Sequence, residues 1–200
     1  ISMDCPAQAL ERLLHWSSRG AMDIDGMGEE IVARLVESER VRDVADYYSL
    51  TEYELATLET GRVNKEGEPI HLGSTIAAKL IASIEASKTR PLARVLFGLG
   101  IRHVGKTTGE QLASAFPSMA ALMEATEEQL AEVDGIGGVI AQSIRAFFAN
   151  KDNCEVIRRL ERMGVTMEDA TVGEEVPQTL AGITFVLTGS LVESGMTRDE

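Results

Sequence analysis

Four glycines set a period in this chain. Gly28, Gly73, Gly105 and Gly137 are separated by 45, 32 and 32 residues. Repetition at such a spacing marks a chain built from copies of one supersecondary unit. The first interval is 13 residues longer than the others. The excess coincides with a polar, turn-rich stretch, residues 62–72, which reads as an inserted β-hairpin or surface loop. Residues at fixed offsets from the glycines share a character. Met27, Leu72, Val104 and Ile136 precede them. Val32, Ala77, Gly109 and Ala141 follow at plus four, mostly small, and Leu35, Leu80, Leu112 and Ile144 follow at plus seven. At minus two stand Gly26, His71, His103 and Gly135, residue types that tolerate a left-handed backbone better than most. Each copy reads as a helix, a tight turn and a second helix: the helix-hairpin-helix pattern. The turns fall near 24–28, 69–73, 101–105 and 133–137.

Helix signals elsewhere agree. Pro6 suits the first turn of a helix reaching about Ser18. Thr51-x-x-Glu54 and Thr126-x-x-Gln129 are capping boxes. Pro91 opens a helix through Phe97, and Gly164 stops one over 153–163. The expected class is mainly α, with four tandem units over 21–168 packed as pseudo-twofold pairs. Residues 1–20 form a lead-in with the first helix, 169–179 a linker, and 180–200 the start of another domain with its strand at 183–188.

The chain of 200 residues is 44% hydrophobic and 26% charged, as expected for a soluble folded domain. No apolar run reaches the ~18 residues of a membrane span. It begins at Ile1, so a fragment is expected. Two cysteines, Cys5 and Cys154, form no CxxC pair. The net charge is −13, which by itself argues against nucleic acid. The charge is uneven, however. Residues 23–60 hold 11 acids against three arginines, a net of −8, whereas 88–110 hold Lys88, Arg90, Arg94, Arg102 and Lys106 against Glu110 alone, a net of +4.

The turns explain how an acidic chain could hold DNA. The first N–H groups of each second helix lack intrahelical partners and carry the positive end of the helix dipole. They can bind a phosphate oxygen without a side-chain charge, and such contacts do not read sequence. The candidate contacts are Gly26 and Gly28 in unit one, and Gly73 and Ser74 in unit two. Unit three adds Arg90, Arg94, Arg102, His103, Gly105, Lys106 and Thr107. Unit four adds Gly135, Gly137, Gly138 and Arg145. Binding is expected to concentrate on units three and four, and a bulky residue at Gly137 is expected to strain its turn as well as block phosphate. Residues 100–107 (GIRHVGKT) also match the nucleotide-binding P-loop, which needs a strand before it. The preceding residues read as helix.

The stretches at 5–8 (CPAQ), 21–28 (AMDIDGMG), 100–105 (GIRHVG) and 133–137 (VDGIG) resemble the C-terminal half of the bacterial NAD-dependent DNA ligases. The resemblance implies a zinc finger before four helix-hairpin-helix units and a BRCT domain after them. Cys5 would then be the fourth zinc ligand, its three partners lying outside the chain. The whole enzyme would use NAD, magnesium and zinc in cytoplasmic DNA replication and repair. It would seal 5′-phosphate/3′-hydroxyl nicks in duplex DNA through an adenylated lysine. That lysine's KxDG motif is absent here. This region alone is therefore expected to be an inactive, cofactor-free monomer that grips nicked DNA. The alternatives are a non-catalytic helix-hairpin-helix repair module and a P-loop nucleotidase.

Overall fold

The computed structural model describes residues 6–169, and within that range the side chains from residue 9 onward. Cys5, most of the expected linker and the strand at 183–188 lie outside the described residues. The elements are α1 (Pro6–Ser17), α2 (Glu29–Glu37), a 3-10 turn (Val44–Ser49), α3 (Glu52–Ala56), β1 (Glu59–Val63), β2 (Pro69–His71), α4 (Ser74–Ser87), α5 (Leu92–Gly98), α6 (Lys106–Ala115), α7 (Met119–Glu124), α8 (Glu127–Ala131), α9 (Gly138–Ala149) and α10 (Lys151–Arg162). Four helix pairs pack as the repeat requires: α1 with α2, α3 with α4, α5 with α6, and α8 with α9. The aliphatics at plus seven, Leu35, Leu80, Leu112 and Ile144, are all buried, so each pair contributes to one continuous core.

Both capping boxes form. Thr51 accepts from the Glu54 amide and Thr126 from the Gln129 amide, with the reciprocal bonds in place. Glu29, Glu30, Glu127 and Glu128 sit in first turns, where the dipole favours acids. Gly164 closes α10 with φ 84°. That helix begins at Lys151, two residues before the expected start, because the Asn150 side chain caps it. The insertion is an antiparallel hairpin, β1 with β2, and it starts at Glu59 rather than 62. The 3-10 turn and α7 are the elements the periodicity does not show. Each is a connector between units, opened by a side-chain cap, Asp43 and Ser118 respectively. Asp169, expected to open the linker, accepts the Leu92 amide at 3.1 Å and so helps start α5.

Buried polar groups are used to join units. Trp16 Nε1 donates to the Tyr48 hydroxyl (3.2 Å), which bonds Ser87 Oγ (3.0 Å), which donates to the Ile84 carbonyl (2.7 Å). This relay ties α1, the 3-10 turn and α4 together. His15 Nε2 donates to the Phe97 carbonyl at 2.8 Å, joining α1 to α5. The Cys154 thiol is buried and donates to the Phe148 carbonyl.

Arg159 of α10 reaches back to Asp43 and Asp46 at the 3-10 turn. Burial opposes ionisation of Asp46. The backbone amides of Arg42 and Asp43 and the Arg159 guanidinium outweigh it, holding the carboxyl below the usual range. The folded pKa is therefore depressed. The stability this group contributes is fully present above its unfolded value, about 3.9, and is lost as pH falls through the folded value. Melts of the wild type should show Tm falling steeply below about pH 4. Asp46→Asn should lower Tm at neutral pH and flatten that acid slope. An unchanged slope would remove Asp46 from the acid response.

Candidate nucleic-acid interface

Three of the four turns are copies of one geometry. In each, the residue before the anchor donates its amide to the carbonyl at minus four: Met27 to Ile24 (3.2 Å), Val104 to Ile101 (2.9 Å) and Ile136 to Val133 (3.0 Å). The minus-two residues take left-handed conformations, with φ 83° at Gly26, 67° at His103 and 78° at Gly135. The anchors have extended backbones, with φ of −84°, −87° and −82° at Gly28, Gly105 and Gly137. Met27, Val104 and Ile136 are buried as plugs between the helices. These turns therefore point the first amides of α2, α6 and α9 outward in the same way.

Unit two departs from this. The insertion carries the chain in through β2, so His71 is a strand residue and does not take the expected left-handed backbone. Gly73 itself takes φ 84°. Its amide bonds the Ala56 carbonyl, and that of Leu72 bonds the Leu58 carbonyl. The α4 N-terminus with Ser74 is nonetheless exposed.

Elsewhere the chain satisfies helix N-termini with side chains. Thr51, Ser118, Thr126 and Asn150 cap α3, α7, α8 and α10. The four glycine-led helices have no side-chain cap. A Cβ at Gly28, Gly73, Gly105, Gly137 or Gly138 would meet no protein atom within 4 Å. At Gly28, Gly105 and Gly137, neither backbone conformation nor internal packing demands glycine. What glycine provides there is an open approach to uncapped amides. The expected strain at Gly137 is thereby corrected, since φ −82° is available to any residue.

The candidate side chains of units three and four divide into two sets. Arg90 donates to Asp23 at 2.8 Å, Arg94 to the Arg19 carbonyl at 2.7 Å, and Arg145 to the Met123 carbonyl at 2.8 Å. These three clasp the protein to itself. Arg102, His103, Lys106 and Thr107 are exposed, and neither Arg102 nor Lys106 makes an ion pair with a described residue. Arg102 also stands with Arg12 and Arg42 around a cavity of about 410 Å³ where units one, three and four meet. At minus three, units one and four carry exposed Asp25 and Asp134 where unit three carries Arg102. Unit three is thus the turn most favourable to an anion. The P-loop reading fails on structure, because the segment before Gly100 is helix α5 and no strand leads into the loop.

The fold and its repeated open turns define a helix-hairpin-helix protein, and residues 94–157 match the helix-hairpin-helix motif family. Over its whole length the chain resembles bacterial DNA ligases. It is 45% identical to the DNA ligase of Alkalilimnicola ehrlichii over 196 residues, covering 98% of this chain and 27% of that one. It is 47% identical to the DNA ligase of Heliobacterium modesticaldum (95% and 27% covered) and 42% identical to that of Anoxybacillus flavithermus (100% and 28%). The chain spans about a quarter of the length of the curated relatives it matches.

Proposed function

We propose that this chain is the DNA-gripping region of an NAD-dependent DNA ligase, and that it holds duplex backbone on either side of a nick while the rest of the enzyme joins the 5′-phosphate to the 3′-hydroxyl. The observation that carries this is the set of four uncapped helix N-termini behind glycines whose Cβ space is empty. Phosphate oxygens fit such sites, so binding follows the backbone and not the base sequence. Amides of α2, α6 and α9 hold phosphates, and unit three adds the charges of Lys106 and Arg102. α4 offers the same open amides through a differently shaped turn. The whole enzyme works as a cytoplasmic monomer with NAD and magnesium, and its zinc finger includes Cys5. Among the described residues no group of His, Cys, Asp and Glu is arranged to hold a metal. No described helix is long and apolar enough to cross a membrane.

Lys106→Ala tests the charged part of the site. It should weaken duplex binding about equally for all sequences and lower the salt dependence, log K against log salt, by ~1. Affinities that match wild type at every salt concentration would remove Lys106 from the interface.

A further inference from the structure

The cavity where units one, three and four meet has the composition of a ligand site. At about 410 Å³ it falls in the size range of pockets that take a small molecule. Its walls come from α1, the approach to the 3-10 turn, the end of α5, α9 and α10. Leu13, Val44, Leu99, Phe147 and Val156 give it an apolar lining. Leu13 and Val44 belong to the core, whereas Leu99, Phe147 and Val156 are only partly buried and leave apolar surface for a ligand to cover.

In a chain of net charge −13, this cavity is positive. Arg12, Arg42 and Arg102 line it, and its one lining acid, Asp43, is already held by Arg159 of α10 at 2.7 Å. Arg102 makes no ion pair with a described residue. Arg42 holds only Glu39, at 3.4 Å and with both side chains exposed, and such a pair is worth little. Two available guanidiniums suit a phosphate, which arginine binds through paired N–H donors. The wall also carries hydrogen-bonding atoms that the fold leaves unused. Asn150 Oδ1 accepts the Asp152 amide, and Asn153 Nδ2 donates to the Phe147 carbonyl. The Asn150 amide nitrogen remains as a donor and the Asn153 side-chain oxygen as an acceptor. A nucleobase edge presents the complementary acceptor and donor.

We propose that this cavity binds a free nucleoside 5′-phosphate, with the phosphate held by Arg42 and Arg102, the sugar and base against Leu99, Phe147 and Val156, and the base edge on Asn150 and Asn153. The volume suits one nucleotide and excludes a duplex, so the ligand is a soluble nucleotide and the site is separate from the amides of the turns. It stands whether or not those amides hold DNA. Arg102 is the one residue common to both, so a bound nucleotide would take one of the two cations that unit three offers to a phosphate backbone.

The test is isothermal titration calorimetry of the full 200-residue chain with adenosine 5′-phosphate, and with inorganic phosphate and adenosine as its two halves. Adenosine 5′-phosphate should bind with a submillimolar Kd, about tenfold or more tighter than either half, because both the arginines and the apolar wall contribute. The variants are Arg42→Ala, Ala146→Phe and, as a marker for binding at a helix N-terminus, Lys106→Ala. Arg42 and Ala146 are exposed residues of the cavity lining, so Tm should hold. Arg42→Ala should weaken nucleotide binding about tenfold, as loss of a charge-assisted hydrogen bond does. Ala146→Phe should abolish it by filling the cavity. If Ala146→Phe does not fold, Arg42→Ala decides alone. No binding of adenosine 5′-phosphate at millimolar concentration overturns the site. Binding no tighter than that of inorganic phosphate overturns the nucleotide as its ligand. Wild-type binding in Arg42→Ala with a loss in Lys106→Ala places the phosphate on the α6 N-terminus and overturns the cavity, while leaving the DNA reading standing. A fall in duplex affinity of Arg42→Ala with no nucleotide binding by the wild type assigns this arginine to DNA and overturns the nucleotide site.

Discussion

Gly105→Ser combined with Gly137→Ser is expected to cost about a hundredfold or more in duplex affinity while leaving Tm equal to or slightly above wild type. Both anchors are N-caps with extended backbones, and a Cβ meets nothing at either. Serine is a better N-cap than glycine by a few tenths of a kcal/mol. Its hydroxyl accepts from the second or third helical amide, as Thr51 and Thr126 already do in this chain. The substitution thus satisfies the donors that a phosphate would use and fills the space it would occupy. A hydrogen bond to a charged group contributes roughly 1.5–3 kcal/mol. Each turn lost is therefore about tenfold or more, and the two sites sit in separate units, so the losses should add. The salt slope should change less than in Lys106→Ala, because amides carry only partial charge. Anisotropy titrations paired with thermal melts read both quantities. Retained affinity with a raised Tm would show that these amides hold no phosphate.

That pairing of outcomes separates this interface from a basic patch. With a net charge of −13, the protein cannot rely on a broad positive field to bring DNA in. Its grip has to be short-ranged and geometric. In the proposed interface the three like turns supply that geometry, and Arg102 and Lys106 of unit three add side-chain charge.

The turns were legible because their constraints are local. Gly26, His103 and Gly135 carry the left-handed backbone, and Met27, Val104 and Ile136 the plug, all immediately ahead of their anchors. The second turn was not, because the inserted hairpin changes how the chain enters α4 and shifts the positive φ from position 71 to Gly73. The cations were legible only as a count. Arg90 lies 67 residues from Asp23, and Arg145 lies 22 from the Met123 carbonyl. Nothing in the local sequence says which arginines face the protein. The 3-10 turn and α7 are too short for periodicity to show, although side-chain caps, Asp43 and Ser118, open them in the structure.

Gly109→Val should be the most damaging single substitution in unit three, and it should act on stability first. Gly109 stands four residues after the anchor, on the face of α6 that meets α5. A Cβ there would lie 2.9 Å from the Ala93 carbonyl oxygen and 3.7 Å from the Phe97 nitrogen. Both are backbone atoms, so no rotamer change relieves the contact and the helices must separate. Overpacking of this kind costs about 1–3 kcal/mol. Placing a β-branched residue against backbone puts Val at the upper end, roughly 6–12 °C in Tm for a chain of this size. Gly109→Ala should also lower Tm, by less than Val, because its Cβ makes the same contact with the Ala93 carbonyl without the added γ-methyls and is offset in part by ~1 kcal/mol of helix propensity over glycine. Val32 occupies the same repeat position in unit one and is fully buried there, so the α1–α2 pair is spaced to admit the side chain that α5–α6 excludes. The close approach in unit three also sets where Gly105 presents its amides. Duplex affinity of Gly109→Val should fall with Tm, in contrast to Gly105→Ser. A wild-type Tm in Gly109→Val would mean that α5 and α6 do not approach as closely as the Ala93 carbonyl contact requires.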